Sequence, residues 1–322
     1  MSDRIEFGAT ISAVAAKNKA LRLIGEFSLD KSIAAASTHY PNIRKASVVK
    51  GLKAVINQSE PLAQKFTSLC GPAAFFFNIT RSRPDIYTQA VLDLYKKGRA
   101  QLKNLKLESS APAKTASLGP SRIRDIDWMI MSSIKSSWYE KPEDDFSAIT
   151  WAGDLLAWLR NAGYQALDNT SYVGTQGLDN LLQAQNAYAS GHDVFLFVNG
   201  KIFQFTGKHS SSSFPNHWAV LNSNIKISQH DKTSGQYKAP VPLSGPLLNS
   251  ILQEWQDYDD AIEAFEENGG FEAPVKTSNL IALDAYTWGE PNKHVFGENG
   301  ASQKAELHLF LNHYFGFIKA KR

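Results

Sequence analysis

Residues 64–77 read Gln-Lys-Phe-Thr-Ser-Leu-Cys-Gly-Pro-Ala-Ala-Phe-Phe-Phe. The stretch holds the only cysteine of a 322-residue chain, Cys70, with Gly71-Pro72 directly after it. Proline suits the first turn of a helix, where its missing N–H would have no partner. The pattern predicts a helix that starts at Cys70 or Gly71 and enters the core through Ala73, Ala74, Phe75, Phe76 and Phe77. Unpaired N–H groups and a partial positive charge at such a start favour a thiolate. Gln64 lies six residues upstream, and its amide can turn back beside Cys70. The plainer reading is that Cys70 packs as a small hydrophobe, the common fate of a free cysteine.

A thiolate nucleophile needs a base, and the sequence has eight histidines. His217 opens the apolar run His-Trp-Ala-Val-Leu after the Ser-rich stretch from His209 to Phe214, so it is expected at the start of a strand. His192 reads as a turn residue after Gly191, His209 belongs to the Ser-rich loop, and His308 and His313 sit in a terminal amphipathic segment. Ahead of His217, the β-rich runs on either side of Asn199-Gly200 predict a hairpin.

Gln-x5-Cys-Gly before a buried helix, with a later His on a strand, resembles the nucleophile region of papain-like cysteine peptidases. That group includes bacterial leader peptidases and secreted bacterial toxins and effectors. The resemblance implies an α+β, papain-like fold, with a helical layer carrying Cys70 packed on an antiparallel sheet carrying His217. It implies cysteine protease chemistry on a protein or peptide substrate, without cofactor or metal. Gln64 and the Cys70 N–H would form the oxyanion hole, His217 would be the base, and an Asn or Asp would orient it. Thr287-Trp288-Gly289 is similar to the Asn-Ser-Trp-Gly strand of these enzymes, but Tyr286 stands where that Asn is expected. Asp284 lies two residues earlier and on the same strand face, which makes it the candidate third residue. Asn222 and Asp231 are weaker candidates. The same Cys-His pair would also serve a glutamine deamidase, a transglutaminase-like enzyme or a peptidoglycan amidase. A binding or scaffold protein with Cys70 in its core is the alternative of another class.

Composition bounds these readings. Hydrophobic residues are 43% and charged residues 20%, which is ordinary for a soluble globular chain. A net charge of +3 gives no reason to expect nucleic acid as partner. One cysteine excludes an intrachain disulfide, and no Cys/His metal pattern or phosphate-binding Gly loop occurs. No apolar run is long enough to span a membrane, and the N-terminus lacks a signal-peptide pattern. The expectation is synthesis in the cytoplasm, with any delivery outside the cell by a leaderless route involving a secretion apparatus, chaperone or immunity protein.

Two domains are expected: a helical N-terminal extension over 1–60 and a papain-like catalytic domain over 61–322. Apolar spacing gives helices over about 11–27 and 48–56 in the first. In the second it gives helices from Pro84, from Ile126 to about Trp138, and from Thr150 to Ala162. Arg81 to Arg124 is basic and reads as a solvated surface, or as a docking face for an acidic partner. An inserted acidic amphipathic helix is expected over about 245–272, a strand over 279–289, and a helix entering a strand over 307–320.

Overall fold

The computed structural model describes residues 4–7, 11–65, 67–118, 123–135, 149–203, 214–231, 233–267, 279–295 and 306–321. A short strand β1 (Arg4–Ile5) precedes the helices α1 (Ala13–Leu29), α2 (Lys45–Ile56), α3 (Cys70–Ser82) and α4 (Pro84–Lys97). The hairpin of β2 (Ala100–Leu102) and β3 (Leu105–Leu107) leads to α5 (Ala111–Thr115), α6 (Asp125–Ser132) and α7 (Ala152–Ala162). Then come β4 (Gln165–Asn169), α8 (Leu178–Ala189), β5 (Asp193–Val198) and β6 (His217–Leu221). Short strands β7 (Lys226–Ser228), β8 (His230–Asp231), β9 (Gln236–Tyr237) and β10 (Val241–Pro242) precede the long helix α9 (Gly245–Glu267). The chain closes with β11 (Leu280–Thr287), β12 (Glu290–Val295), α10 (Leu307–Leu311) and β13 (Tyr314–Lys321).

The main sheet is eight-stranded, in the order β10-β7-β11-β6-β5-β13-β4 with β12 paired to β11. All its pairings are antiparallel. Alternation along its strands divides the buried residues between two faces. Phe195, Phe197, Trp218, Val220 and Tyr286 face the layer that contains α3. Val194, Leu196, Val198, Ala219, Leu221 and Ala285 face a second cluster built with α8, α9 and α10. The protein is therefore a mixed helix-and-sheet fold with an antiparallel sheet between helices.

Helix α3 is the pivot. Every residue from Cys70 to Ile79 is buried, as its composition predicts. Phe77 stacks on Tyr286 with ring centroids 3.8 Å apart, which joins the helix to β11. The helices of residues 1–60 share this core: Ala20, Ile24, Phe27, Val48 and Leu52 belong to the same buried cluster as Phe75 and Phe76. Arg83 and Asp85 pair at the start of α4.

Several local expectations are corrected. The Asn199-Gly200 hairpin does not form, because Gly200–Phe203 is a 3-10 turn. Asn199 and Gly200 are occupied elsewhere: Asn199 Nδ2 donates to the Phe214 carbonyl (2.8 Å), and Gly200 N–H donates to Asn216 Oδ1 (2.9 Å). They pin the segment that enters β6. The helix after Ile126 ends at Ser132, and 136–148 lie outside the described residues. Helix α9 is described over Gly245–Glu267, and 268–278 lie outside the described residues. His209 and the side chains of Ile262 and Phe265 also lie outside the described residues.

A Cβ added at Gly71 would lie 2.4 Å from Thr150 Cβ and Oγ1. Thr150 is fully buried, and its carbonyl accepts from Trp218 Nε1 at 2.6 Å, so it has little freedom to withdraw. Gly71→Ala is therefore expected to cost about 1–3 kcal/mol through overpacking. The readout is a lower urea midpoint at unchanged slope. A wild-type midpoint would mean that Thr150 gives way.

Candidate functional site

Cys70 is the first residue of α3 and is 4% exposed. Its thiol donates to the carbonyl of Asn216 at 3.9 Å, so the sulfur lies against the backbone that leads into His217. Burial raises the Cys70 pKa above the ordinary thiol value. The Trp218 N–H, the Lys135 ammonium and the N–H groups of Gly71 and Cys70 act in the opposite direction. At neutral pH the thiol is protonated. The helix start alone does not make it a thiolate.

His217 opens β6, as its loop-to-strand context predicts. Its Nε2 meets Thr287 Oγ1 at 2.5 Å. The imidazole lies 5.0 Å from the Trp288 ring and 5.9 Å from Phe203, which meets it nearly edge-on. Gly200 gives these groups room, since a Cβ there would lie 3.3 Å from Trp288 and 3.5 Å from the His217 Cβ. By alternation His217 falls on the strand face of Ala219 and Leu221, whereas Trp218 faces α3. Among the described residues no hydrogen bond joins thiol and imidazole. Nor does His217 Nδ1 make a hydrogen bond among them. Burial lowers the imidazole pKa to about 3, so it is neutral at pH 7.

The structure corrects the third residue. Asp284 is not brought to His217. Its backbone carbonyl accepts from Asn222 N–H, at the opposite end of β6. Asn222 is five residues from His217, about 17 Å along an extended strand. Asp284 shares the face of Tyr286, towards α3, whereas His217 falls on the face of Ala219 and Ala285, so face and position along the strand both separate them. Asn222 itself accepts from Arg81 at 2.7 Å, and Asp231 closes an exposed turn by accepting from Thr233 N–H. Thr287 occupies the place at the ring nitrogen. The signal was the Thr-Trp-Gly run itself, and the register irregularity between Ala285 and Thr287 in the pairing of β11 with β12 hid it. Tyr286 instead donates from its hydroxyl to the Leu62 carbonyl at 2.7 Å.

Gln64 is buried on the loop before α3, and its Nε2 donates to the Thr67 carbonyl at 2.9 Å. The loop is held from below. Arg124 donates to the carbonyls of Glu60 (2.9 Å) and Pro61 (2.6 Å) and to Asp127 Oδ2, which also accepts from Ala63 N–H. A Cβ on Gly289, whose φ is +91°, would lie 2.4 Å from the Ala63 Cβ. The end of the Trp-Gly strand therefore packs directly on the loop that carries Gln64.

Lys135 was not singled out by the sequence. It follows α6, and its ammonium donates to the Ile149 carbonyl (2.6 Å) and to Thr150 Oγ1 (3.3 Å). No spacing rule reaches from 135 to 70. Among the described residues no cluster of three or more His, Cys, Asp or Glu could hold a metal ion, and no helix is long and apolar enough to cross a membrane. Compared with protein-family models, curated proteins and solved structures, the chain matches none.

Burial pushes Asp127 up to about 6 against the pull of Arg124, and its Oδ1 is buried with no partner among the described residues. An unfolded aspartate titrates near about 3.9. The fold thus binds this proton more tightly than the unfolded chain, so the group's contribution is greatest below about pH 4 and falls as pH rises through about 6. Relative to Asp127→Asn, the wild type is expected to be more stable at pH 4 than at pH 7, by urea midpoints at both. A difference growing towards pH 7 would mean that the ion pair with Arg124 outweighs burial.

Proposed function

We propose that the protein is a cysteine-dependent amide hydrolase of papain-like type, with Cys70 as nucleophile and His217 as general base. The observation that carries this reading is the seating of the first turn of α3 against the start of β6, with Thr287 and Trp288 on the imidazole. A hydroxyl at Nε2 fixes the ring orientation and leaves Nδ1 as the nitrogen that takes the thiol proton. Since alternation sets His217 on the face of β6 away from α3, the thiol would have to leave the Asn216 carbonyl and reach the imidazole past the start of the strand as substrate enters. Attack then forms a tetrahedral oxyanion, for which the Cys70 N–H and the second amide N–H of Gln64 are the donors. The imidazolium returns its proton to the leaving amine, and water hydrolyses the thioester. Because thiol and imidazole are both neutral at rest, the base acts during attack rather than through a preformed ion pair.

A protein or peptide substrate is part of this proposal, and a side-chain glutamine amide or a peptidoglycan amide uses the same steps. A second reading, in which Cys70 is core and the protein binds rather than cuts, draws on one specific observation. The thiol is 4% exposed and is bonded to a main-chain carbonyl.

Two measurements separate these readings. Cys70→Ala is expected to abolish amide hydrolysis on a peptide library while keeping the wild-type urea midpoint. Hydrolysis retained by that variant would falsify the assignment. Thr287→Val is expected to lower kcat by about tenfold or more through loss of ring orientation, and Gln64→Ala by about 10²–10³, the range for an oxyanion donor. Asp284→Ala is expected to leave kcat near wild type. An equal loss in Asp284→Ala would return the third position to that residue.

A further inference from the structure

One lysine is tied through Thr150 to the first turn of α3. Lys135 is half-buried, and its ammonium is fixed by two acceptors, Ile149 O at 2.6 Å and Thr150 Oγ1 at 3.3 Å. Thr150 is the residue that abuts Gly71, with its Oγ1 2.4 Å from where a Gly71 Cβ would stand. Through that one residue the cation is tied to the first turn of α3, where Cys70 begins the helix. A lysine with a long stem and a strongly hydrated head is costly to confine in this way. The surface offers an ordinary lysine better hydration.

We propose that Lys135 is the resident counter-cation of Cys70, held by Thr150 and Ile149 at the first turn of α3 so that its field favours the thiolate. This rests on the catalytic reading of Cys70 for its purpose, though not for its test. Lys135 acts through space and is a positioning element of the electrostatic field, not a group that touches substrate. When the thiol loses its proton, to solvent in the free protein or to His217 in turnover, the negative sulfur gains a nearby positive charge in a poorly hydrated site. There such a charge is weakly screened.

Among the described residues, Asp154 is the charged group that acts on this pair from outside it, and His217 is the titratable group on the adjoining strand. His217 stands on β6 and is neutral at pH 7. Lys135 follows α6. Asp154, in the first turn of α7, acts on Lys135 and favours its charged form. Burial lowers the Lys135 pKa, while Cys70 and Asp154 raise it. The reciprocal pull of Lys135 on Cys70 has the sign the proposal needs.

The chain has a single cysteine, so alkylation by iodoacetamide followed by intact mass reports Cys70. Rates are measured from about pH 6 to 10 for wild type, Lys135→Met, Lys135→Gln and Lys135→Arg, with circular dichroism and urea midpoints to check folding. Both neutral variants are expected to raise the midpoint of the pH–rate curve by about one unit or more, and Lys135→Arg to keep it near wild type. Folded neutral variants with the wild-type midpoint would overturn the proposal. Should neither fold, Thr150→Val decides. It keeps the shape beside Gly71 but removes the hydroxyl that accepts from the Lys135 ammonium, so the Cys70 midpoint is expected to rise, and an unchanged or lower midpoint overturns the proposal. These readouts need no hydrolysis. An inactive wild type would sink the hydrolase reading while leaving the midpoint shift, and an absent shift would leave that reading standing.

Discussion

The contact on which the rest of the molecule depends is the wedge of Gly71 against Thr150 at the start of α3. It fixes the height at which the helix meets the sheet, because Thr150 is tied by its carbonyl to Trp218 and Trp218 lies on β6. A side chain at 71 would lift the helix off that strand. With the glycine in place, the sulfur of Cys70 reaches the main chain at Asn216 and Trp218. The same contact brings Lys135 in, since Thr150 Oγ1 accepts from its ammonium. One missing Cβ thus brings together the thiol, the strand of His217 and a cation. Pro72 at the next position sits in the first turn, where no N–H is needed.

A second constraint acts on the loop before the helix. Buried ion pairs rarely add stability over an apolar replacement, but losing one partner is costly, so they fix geometry well. Arg124 and Asp127 fit that description, since they bind the backbone of Glu60, Pro61 and Ala63 rather than other side chains alone. Tyr286 adds a bond to Leu62 from the sheet side. Gln64 is therefore the first residue beyond a segment clamped from helix and sheet together. Its amide then turns into the local Thr67 turn. The placement of Gln64 is inherited from residues more than fifty positions away in sequence.

How much of this was legible in the chain follows from the range of the forces involved. Local signals were read well: the Gly-Pro helix start at Cys70, the Pro84 helix, the stop at Gly163, the strand before Trp288 and the helix-to-strand passage at 307–321 agree with the structure. Asn199-Gly200 misled because the usual hairpin dipeptide is recruited by Phe214 and Asn216, and tertiary bonds overrode turn propensity. Asp284 misled for a different reason. Alternation within β11 places Asp284 with Tyr286 but does not say which face His217 takes on β6, and only the pairing of Ala285 with Leu221 shows that Asp284 lies on the other face and at the far end of that strand. Lys135 was invisible, because its link to Cys70 runs through Thr150 across separate elements. The helices of 1–60 carried a clear apolar period but no sign that they would share the core of α3.

The electrostatics of the pair follow from the same burial that holds the fold. Water exclusion acts on both groups in the direction of neutrality, raising the thiol and lowering the imidazole to about 3. A pair left to burial alone would be inert at neutral pH. What opposes burial at Cys70 is a small set of fixed donors: the Trp218 N–H, the Lys135 ammonium, and the N–H groups of the first turn. In a dry site each fixed dipole or charge counts for more than it would in water, and none has to reorganise when charge appears on sulfur. Among the described residues nothing of the kind is set beside His217, whose polar neighbour there is the uncharged hydroxyl of Thr287. The asymmetry supports the proposed roles. Fixed donors favour negative charge at residue 70, and a hydroxyl fixes the ring at residue 217, which in the proposed reaction would receive a proton only while that charge is being formed.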